Sequence, residues 1–275
     1  MPSCTGTGGN GAGCEIAGGD YRVVSEIARL PGAVTVREDP VGMVAALADW
    51  ILDIAAEATS AAGEFHIALT GGSTPRPLYQ ALAAMPWRER AEWGRWDIFF
   101  GDERACPPDD PRSNYRLARE TLLDQVTVRP ERVHRMRAEL SDLDAAAAEY
   151  STLLAATCPS SHSSPVPRLD CVLLGLGENG HTASLFPGTP ALQVRDRWAT
   201  RGLADYEPHD RITLTFPVLN AAAHVAFLVT GPTKGNALRG VLQGTAPAAG
   251  PQTASCAGFS TRRPPPASRS AGRAL

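Results

Sequence analysis

Short, continuous apolar runs separated by helix-patterned segments limit what this chain can fold into. The runs are AVTV (33–36), FHIAL (65–69), WDIFF (96–100), DCVLLGL (170–176), ITLTF (212–216) and HVAFLV (224–229). Several are unbroken rather than alternating, the pattern of strands buried on both faces. One intervening helix is well signposted. Asp39 is a good N-cap, Pro40 suits the first helical position and Gly63 can close the end. Between them Val44, Leu47, Ile51 and Ile54 share one face. A second helix is expected from Ser141 through DAAAAEYSTLLAA. Strand, helix, strand in repeated order predicts an α/β fold with a mainly parallel sheet covered by helices on both faces.

Two stretches do not share this pattern. Residues 1–20 are Gly-, Ser-, Thr- and Asn-rich, and 245–275 carry three consecutive prolines and no apolar period. Both are expected to lack regular structure, leaving one domain over 21–244. With 26 Lys+Arg against 29 Asp+Glu, the chain has no basic field for a nucleic-acid backbone, so no nucleic-acid partner is expected. Its six cysteines form no CxxC pair and sit at no zinc-ligand spacing, so neither a metal site nor a disulfide framework is expected. Scattered thiols fit a reducing compartment. The first residues lack a basic patch followed by an apolar core, and no apolar stretch approaches the ~18 residues of a membrane span. A cytoplasmic protein with no membrane partner is the expectation.

In such folds, sites form beyond the carboxyl ends of the strands. Four segments there carry chemistry. Gly71, Gly72, Ser73 and Thr74 follow FHIAL, and their backbone N–H groups and hydroxyls can cradle an anion, most naturally phosphate. A plain strand-to-helix turn explains the same residues. Asp102, Glu103 and Arg104 follow WDIFF, where three charges at the end of a buried strand are costly to cover, although surface charge clusters are common. GLGENGH (175–181) matches G-x-G-x-x-G, but the SLFP that follows does not begin a dinucleotide helix. Here a Gly-rich turn presents His181, whose imidazole can take a proton from water. Arg211 and Lys234, each at a strand border, can complete a phosphate site or be solvated end charges. The other five histidines read as structural or surface.

Together LTGGSTP, FFGDER with SN ten residues on, LLGLGENGHTASLFPG, RITLTFPVLNAA and VTGPTKGNAL resemble the 6-phosphogluconolactonase family, over about residues 33–244. The resemblance implies a Rossmann-like α/β fold and hydrolysis of 6-phospho-D-glucono-1,5-lactone in the oxidative pentose phosphate pathway. It makes His181 the general base and Arg104 the group that holds substrate and stabilises the oxyanion. Gly71, Gly72, Ser73, Thr74, Arg211 and Lys234 then hold the phosphate, with Asp102 orienting Arg104 or a substrate hydroxyl. No cofactor is implied, because a lactone is an activated ester. The partner is the small-molecule phosphosugar lactone, and the chain is expected to be a monomer or a weak homo-oligomer.

Two places depart from the family's pattern. Asn179 stands where Asp is common. After Gly244 the usual apolar strand with a Trp and an Asp is missing. GC-rich codons read out of phase produce runs such as GFSTRRPPPAS, so a changed reading frame is expected, and resequencing that finds the frame intact to Leu275 contradicts it. Three other readings compete. An amino-sugar-phosphate deaminase or isomerase is opposed by GDER and ASLFP, where the deaminases resemble MDEY and AFNEP. A sugar-phosphate sensor needs a helix-turn-helix domain, for which the first thirty residues are too glycine-rich. A destabilised paralogue that only binds sugar phosphate is motivated by the tail.

Overall fold

The computed structural model describes residues 39–160 and 164–247, together with the strands Cys14–Ile16, Val34–Arg37 and Ala254–Ser260. Its strands are β1 (Cys14–Ile16), β2 (Val34–Arg37), β3 (Phe65–Leu69), β4 (Trp96–Phe100), β5 (Asp102–Arg104), β6 (Cys171–Gly175), β7 (Ala199–Leu203), β8 (Asp210–Leu214), β9 (His224–Thr230) and β10 (Ala254–Ser260). Seven form one parallel sheet in the order β1-β2-β10-β9-β6-β3-β4. The other three form an antiparallel sheet, β5-β8-β7.

The unbroken apolar runs are divided between two cores by the pleat of the strands. On β3, Ile67 and Leu69 enter one core and Ala68 the other; on β4, Ile98 and Phe100 oppose Phe99; on β6, Leu173 opposes Val172 and Leu174. The helix Pro40–Ala62 covers the first core. Asp39 accepts from the Gly42 N–H at 2.7 Å, and Gly63, in the left-handed region, donates to Thr59. Val44, Leu47, Ile51 and Ile54 are its buried face, as their spacing predicts. The helix Leu143–Thr157 covers the second core with Ala146, Ala147, Tyr150 and Leu154. It begins two residues beyond the expected Ser141, because Asp142 is the N-cap and reaches the Ala145 N–H at 2.9 Å. Among the described residues, no helix is long and apolar enough to cross a membrane.

Two buried tyrosines, one per core, end the central strands. The Thr70 N–H donates to the Tyr79 hydroxyl (3.0 Å), which donates to the Thr70 carbonyl (2.6 Å). The Phe100 N–H donates to the Tyr150 hydroxyl (3.0 Å). Burial pushes both phenols up, so they stay protonated donors. The backbone leaves the sheet at these two points, which places the loops after β3 and β4 side by side.

The structure departs from the sequence reading in three ways. ITLTF is not a strand of the main sheet: β8 pairs antiparallel with β5 and β7, and Thr215 ends it as the N-cap of the helix Phe216–Ala221. Within 245–275, expected to be irregular, Ala254–Ser260 lies between β2 and β9. Within 1–20, Cys14–Ile16 pairs with β2. Parallel neighbours offering unpaired N–H and C=O groups override weak local propensity in both segments.

At the opposite end of the sheet, Glu64, His66 and Asp97 bring ligand-type atoms within 4.8 Å of one another. Arg132 donates to both carboxylates, and His134 Nε2 lies 2.8 Å from Asp97 Oδ1. The guanidinium already supplies the positive charge, so this is an ion-pair network tying the start of β4 to the 130–134 loop.

Candidate active site

The loops at the carboxyl ends of β3, β4, β6 and β9 open into one cleft of ≈ 490 Å³. Gly71, Gly72, Ser73, Thr74, Asp102, Arg104, His181 and Lys234, from four distant segments, all line it. Arg211 does not.

The glycines of the two loops make close approaches that a side chain would block. A Cβ on Gly71 would lie 1.7 Å from Asn114 Oδ1. Asn114 itself is fixed, donating through Nδ2 to the Asp102 carbonyl (2.8 Å) and Oδ1 (3.1 Å). A Cβ on Gly177 would lie 2.1 Å from His181 Nδ1, so the imidazole rests directly on the loop backbone. The Gly177 N–H closes the turn by donating to the His181 carbonyl at 2.8 Å. The glycines thus seat a side chain and are no dinucleotide fingerprint. The cradle after β3 leads into a helix of seven residues, Arg76–Leu82, whose N-cap is Pro75.

In the acidic loop the three charges have different fates. Glu103 is buried and accepts from the N–H groups of Arg104 (2.7 Å), Asn114 (2.8 Å) and Tyr115 (2.8 Å) and from the Ser113 hydroxyl (3.0 Å). It anchors the start of the helix Asn114–Thr121. Burial pushes its pKa up, and the donors offset part of that. Glu103→Ala is expected to strand these buried donors and to lower unfolding stability by about 3 kcal/mol, measured by urea denaturation. Asp102 faces the cleft but does not orient Arg104: its Oδ2 accepts from the Ser184 hydroxyl at 2.6 Å and its Oδ1 from Asn114. Arg104 donates through one Nη to the Arg112 carbonyl, and its buried Nε has no partner.

Arg104 lies directly opposite Arg211 in the β5–β8 pair. Like charges at such positions repel. Arg211 is 1% exposed, and none of its three guanidinium nitrogens has a hydrogen-bond partner. Burial, and then the Arg104 charge, hold it below the usual arginine range. The half-exposed Tyr206 ring covers it, 5.2 Å from the guanidinium carbon. Of the two readings of Arg211, a phosphate-site cation or a solvated end charge, its burial removes the second: β8 turns it inward beneath Tyr206. Two neighbouring guanidiniums with unused donors have the chemistry to bind an anion.

His181 stacks on Phe186 with ring centroids 3.9 Å apart and 19° between planes. Burial pushes its pKa down from 6.5 to about 4; Asp102 and Asp205 oppose the shift, while Lys234 and Arg211 add to it. The imidazole is therefore neutral at pH 7 and able to accept a proton. Its Nδ1 lies 2.6 Å from Asn179 Oδ1. Lys234 ends a 3-10 turn, Pro232–Lys234, ahead of the helix Gly235–Leu242, and reaches the cleft rim. His66, His134, His209 and His224 lie outside the cleft lining, and His162 falls outside the described residues.

Sequence reasoning missed Asp205 and Tyr206, which also line the cleft. They lie between β7 and β8 in DYEP, where no strand-end motif marks them.

Comparison with known proteins places the chain among relatives. The family described as glucosamine-6-phosphate isomerases/6-phosphogluconolactonase matches residues 38–259, past the Gly244 where the motif resemblance was expected to end. A 6-phosphogluconolactonase of Nostoc sp. is 44% identical over 205 residues, covering 74% of this chain and 82% of that one. One from Synechocystis sp. is 45% identical over 190 residues, covering 69% and 75%. The solved structure of a 6-phosphogluconolactonase from Trypanosoma brucei superposes with a TM-score of 0.74 at 29% identity, covering 84% of this chain and 95% of that one.

Proposed function

We infer the reaction from one premise: the chain belongs to the family of glucosamine-6-phosphate isomerases and 6-phosphogluconolactonases. Within that family it is a lactone-hydrolysing enzyme, acting on 6-phospho-D-glucono-1,5-lactone. The observation that carries the mechanism is a neutral, seated His181 in the same cleft as Arg104, whose Nε has no partner.

In the proposed step His181 Nε2 takes a proton from water as its oxygen attacks the lactone carbonyl. Arg104 stabilises the oxyanion of the tetrahedral intermediate. The ring oxygen then leaves as the sugar hydroxyl, taking the proton back from the imidazolium. The product carboxylic acid ionises, and the imidazole is returned neutral. The phosphate lies against Gly71, Gly72, Ser73 and Thr74 and Lys234, which fixes the ring for attack. Displacement of the exposed Tyr206 ring opens Arg211 to the same anion. Asp102, held by Ser184 and Asn114, has its carboxylate fixed for a substrate hydroxyl. The enzyme works in the cytoplasm as a monomer or weak homo-oligomer.

The pH dependence follows from the base. Only neutral His181 is active, so kcat/KM should stay flat as pH falls from 7 and drop as pH passes through about 4. A pH–rate profile, corrected for spontaneous hydrolysis, tests this; a drop centred near 6.5 means that His181 is hydrated in the working enzyme and its pKa is not depressed. Ammonia release from glucosamine 6-phosphate separates the deaminase reading, and none is expected.

A further inference from the structure

His181 has two ring nitrogens, and the reaction above needs a specific one of them bare. Asn179 Oδ1 accepts from the His181 backbone N–H at 3.1 Å and lies 2.6 Å from His181 Nδ1. An amide carbonyl only accepts, so Nδ1 carries the hydrogen of the neutral ring and Nε2 is left as the acceptor. That holds only while the amide presents its oxygen. Turned over, its NH₂ would face Nδ1, and the opposite tautomer would be favoured.

Two groups oppose this turn: the His181 backbone N–H, which a turned amide would meet donor to donor, and a side chain 26 residues further along the chain. Asn179 Nδ2 donates to Asp205 Oδ2 at 2.9 Å. A carboxylate accepts and cannot donate, so a turned amide would set oxygen against oxygen. We propose that Asp205 is a positioning residue: by holding the Asn179 amide it keeps the proton of His181 on Nδ1 and Nε2 bare toward the cleft. Its kinetic consequence rests on the hydrolytic role given to His181; its effect on the tautomer does not. Both Asn179 and Asp205 are exposed, so the pair acts through geometry more than through its field. The other charged and titratable groups about the ring are Asp102, Lys234, Arg211 and Tyr206, and none bonds to either ring nitrogen.

The arrangement also explains why Asn at 179 is compatible with this cleft. A carboxylate there would face the Asp205 carboxylate at hydrogen-bond distance. The roles should therefore be exchangeable only in pairs. Asn179→Asp alone is expected to impair the enzyme. Asn179→Asp with Asp205→Asn restores a donor–acceptor pair, with the carboxylate now on Nδ1–H, where it favours the imidazolium and moves the acid limb of the pH profile upward.

The test uses the full-length protein with ¹⁵N-labelled histidine. The ring nitrogens of His181 are read by NMR in wild type, Asp205→Ala, Asp205→Asn and the exchanged double variant. Wild type is expected to show a protonated Nδ1 and a bare Nε2. Asp205→Ala should populate the Nε2–H form and lower kcat about 10-fold at unchanged KM, the scale on which outer partners of an imidazole act. Asp205→Asn, whose amide can donate as well as accept, no longer excludes the turned Asn179 amide and should show a mixture of the two tautomers between wild type and Asp205→Ala. An Nε2–H form in wild type, or an unaltered tautomer in Asp205→Ala, overturns the proposal. If the tautomer responds as expected but wild type does not hydrolyse the lactone, the positioning role stands and the proposed reaction is the part that fails.

Discussion

Replacing His181 with Asn is expected to lower kcat for lactone hydrolysis by roughly 10²–10⁴-fold, the share of a rate that a positioned general base supplies. KM should change little, because the phosphate is held by the cradle after β3 and by Lys234, which the imidazole does not touch. Asn is the informative replacement. It keeps a polar side chain over Gly177, whose lack of a Cβ leaves room for the ring. The stack on Phe186 is lost, so stability should fall by about 1 kcal/mol. A folded variant that binds inorganic phosphate as wild type does, but no longer outpaces spontaneous hydrolysis, separates the chemical role from a structural one. Unchanged kcat would assign proton abstraction to another group.

The second large effect joins stability to function in opposite directions. Arg211→Met should make the protein more stable and less active. The guanidinium is buried without a hydrogen-bond partner and opposite another arginine. Removing it relieves an unpaired buried charge, and a gain of about 1–3 kcal/mol is expected. For a domain of this size that raises Tm by roughly 2–4 °C per kcal/mol. The same substitution should lower kcat/KM for the phosphorylated lactone by about 10–100-fold, the worth of a charge-assisted contact. Inorganic phosphate at 100 times its Kd should stabilise wild type by about 2.7 kcal/mol and the variant by much less. Thermal melts with and without phosphate check both halves. A variant less stable than wild type would mean that the guanidinium is satisfied in the folded protein, which would remove the case for an anion above it.

What could be read from the sequence follows a physical divide. FHIAL, WDIFF and CVLLG announce themselves because a strand covered on both faces has no polar positions to interrupt it. The caps Asp39 and Gly63 are local chemistry and were equally legible. β5 and β7 were not: DER and ATRGL are short, charged or mixed, and they exist as strands only because β8 lies between them. The site shows the same divide. The cradle, the acidic loop and His181 each follow an apolar strand in sequence, so the fold rule alone sets them at one end of the sheet. Asp205 and Tyr206 reach the cleft through the β7–β8 connection, whose position depends on a pairing the sequence does not advertise. The burial of Arg211 depends on that pairing as well. β10 was unreadable for another reason: apart from Phe259, ASCAGFS is made of small residues, and what places it is the pair of open strand edges on either side.

The most direct test of the whole account is a ³¹P NMR time course of 6-phospho-D-glucono-1,5-lactone, generated in situ, with and without the purified full-length protein. The protein is expected to convert the lactone to 6-phosphogluconate well ahead of the spontaneous reaction, and His181→Asn to return the rate to the uncatalysed one. A protein that melts cooperatively yet leaves the spontaneous rate unchanged would contradict it.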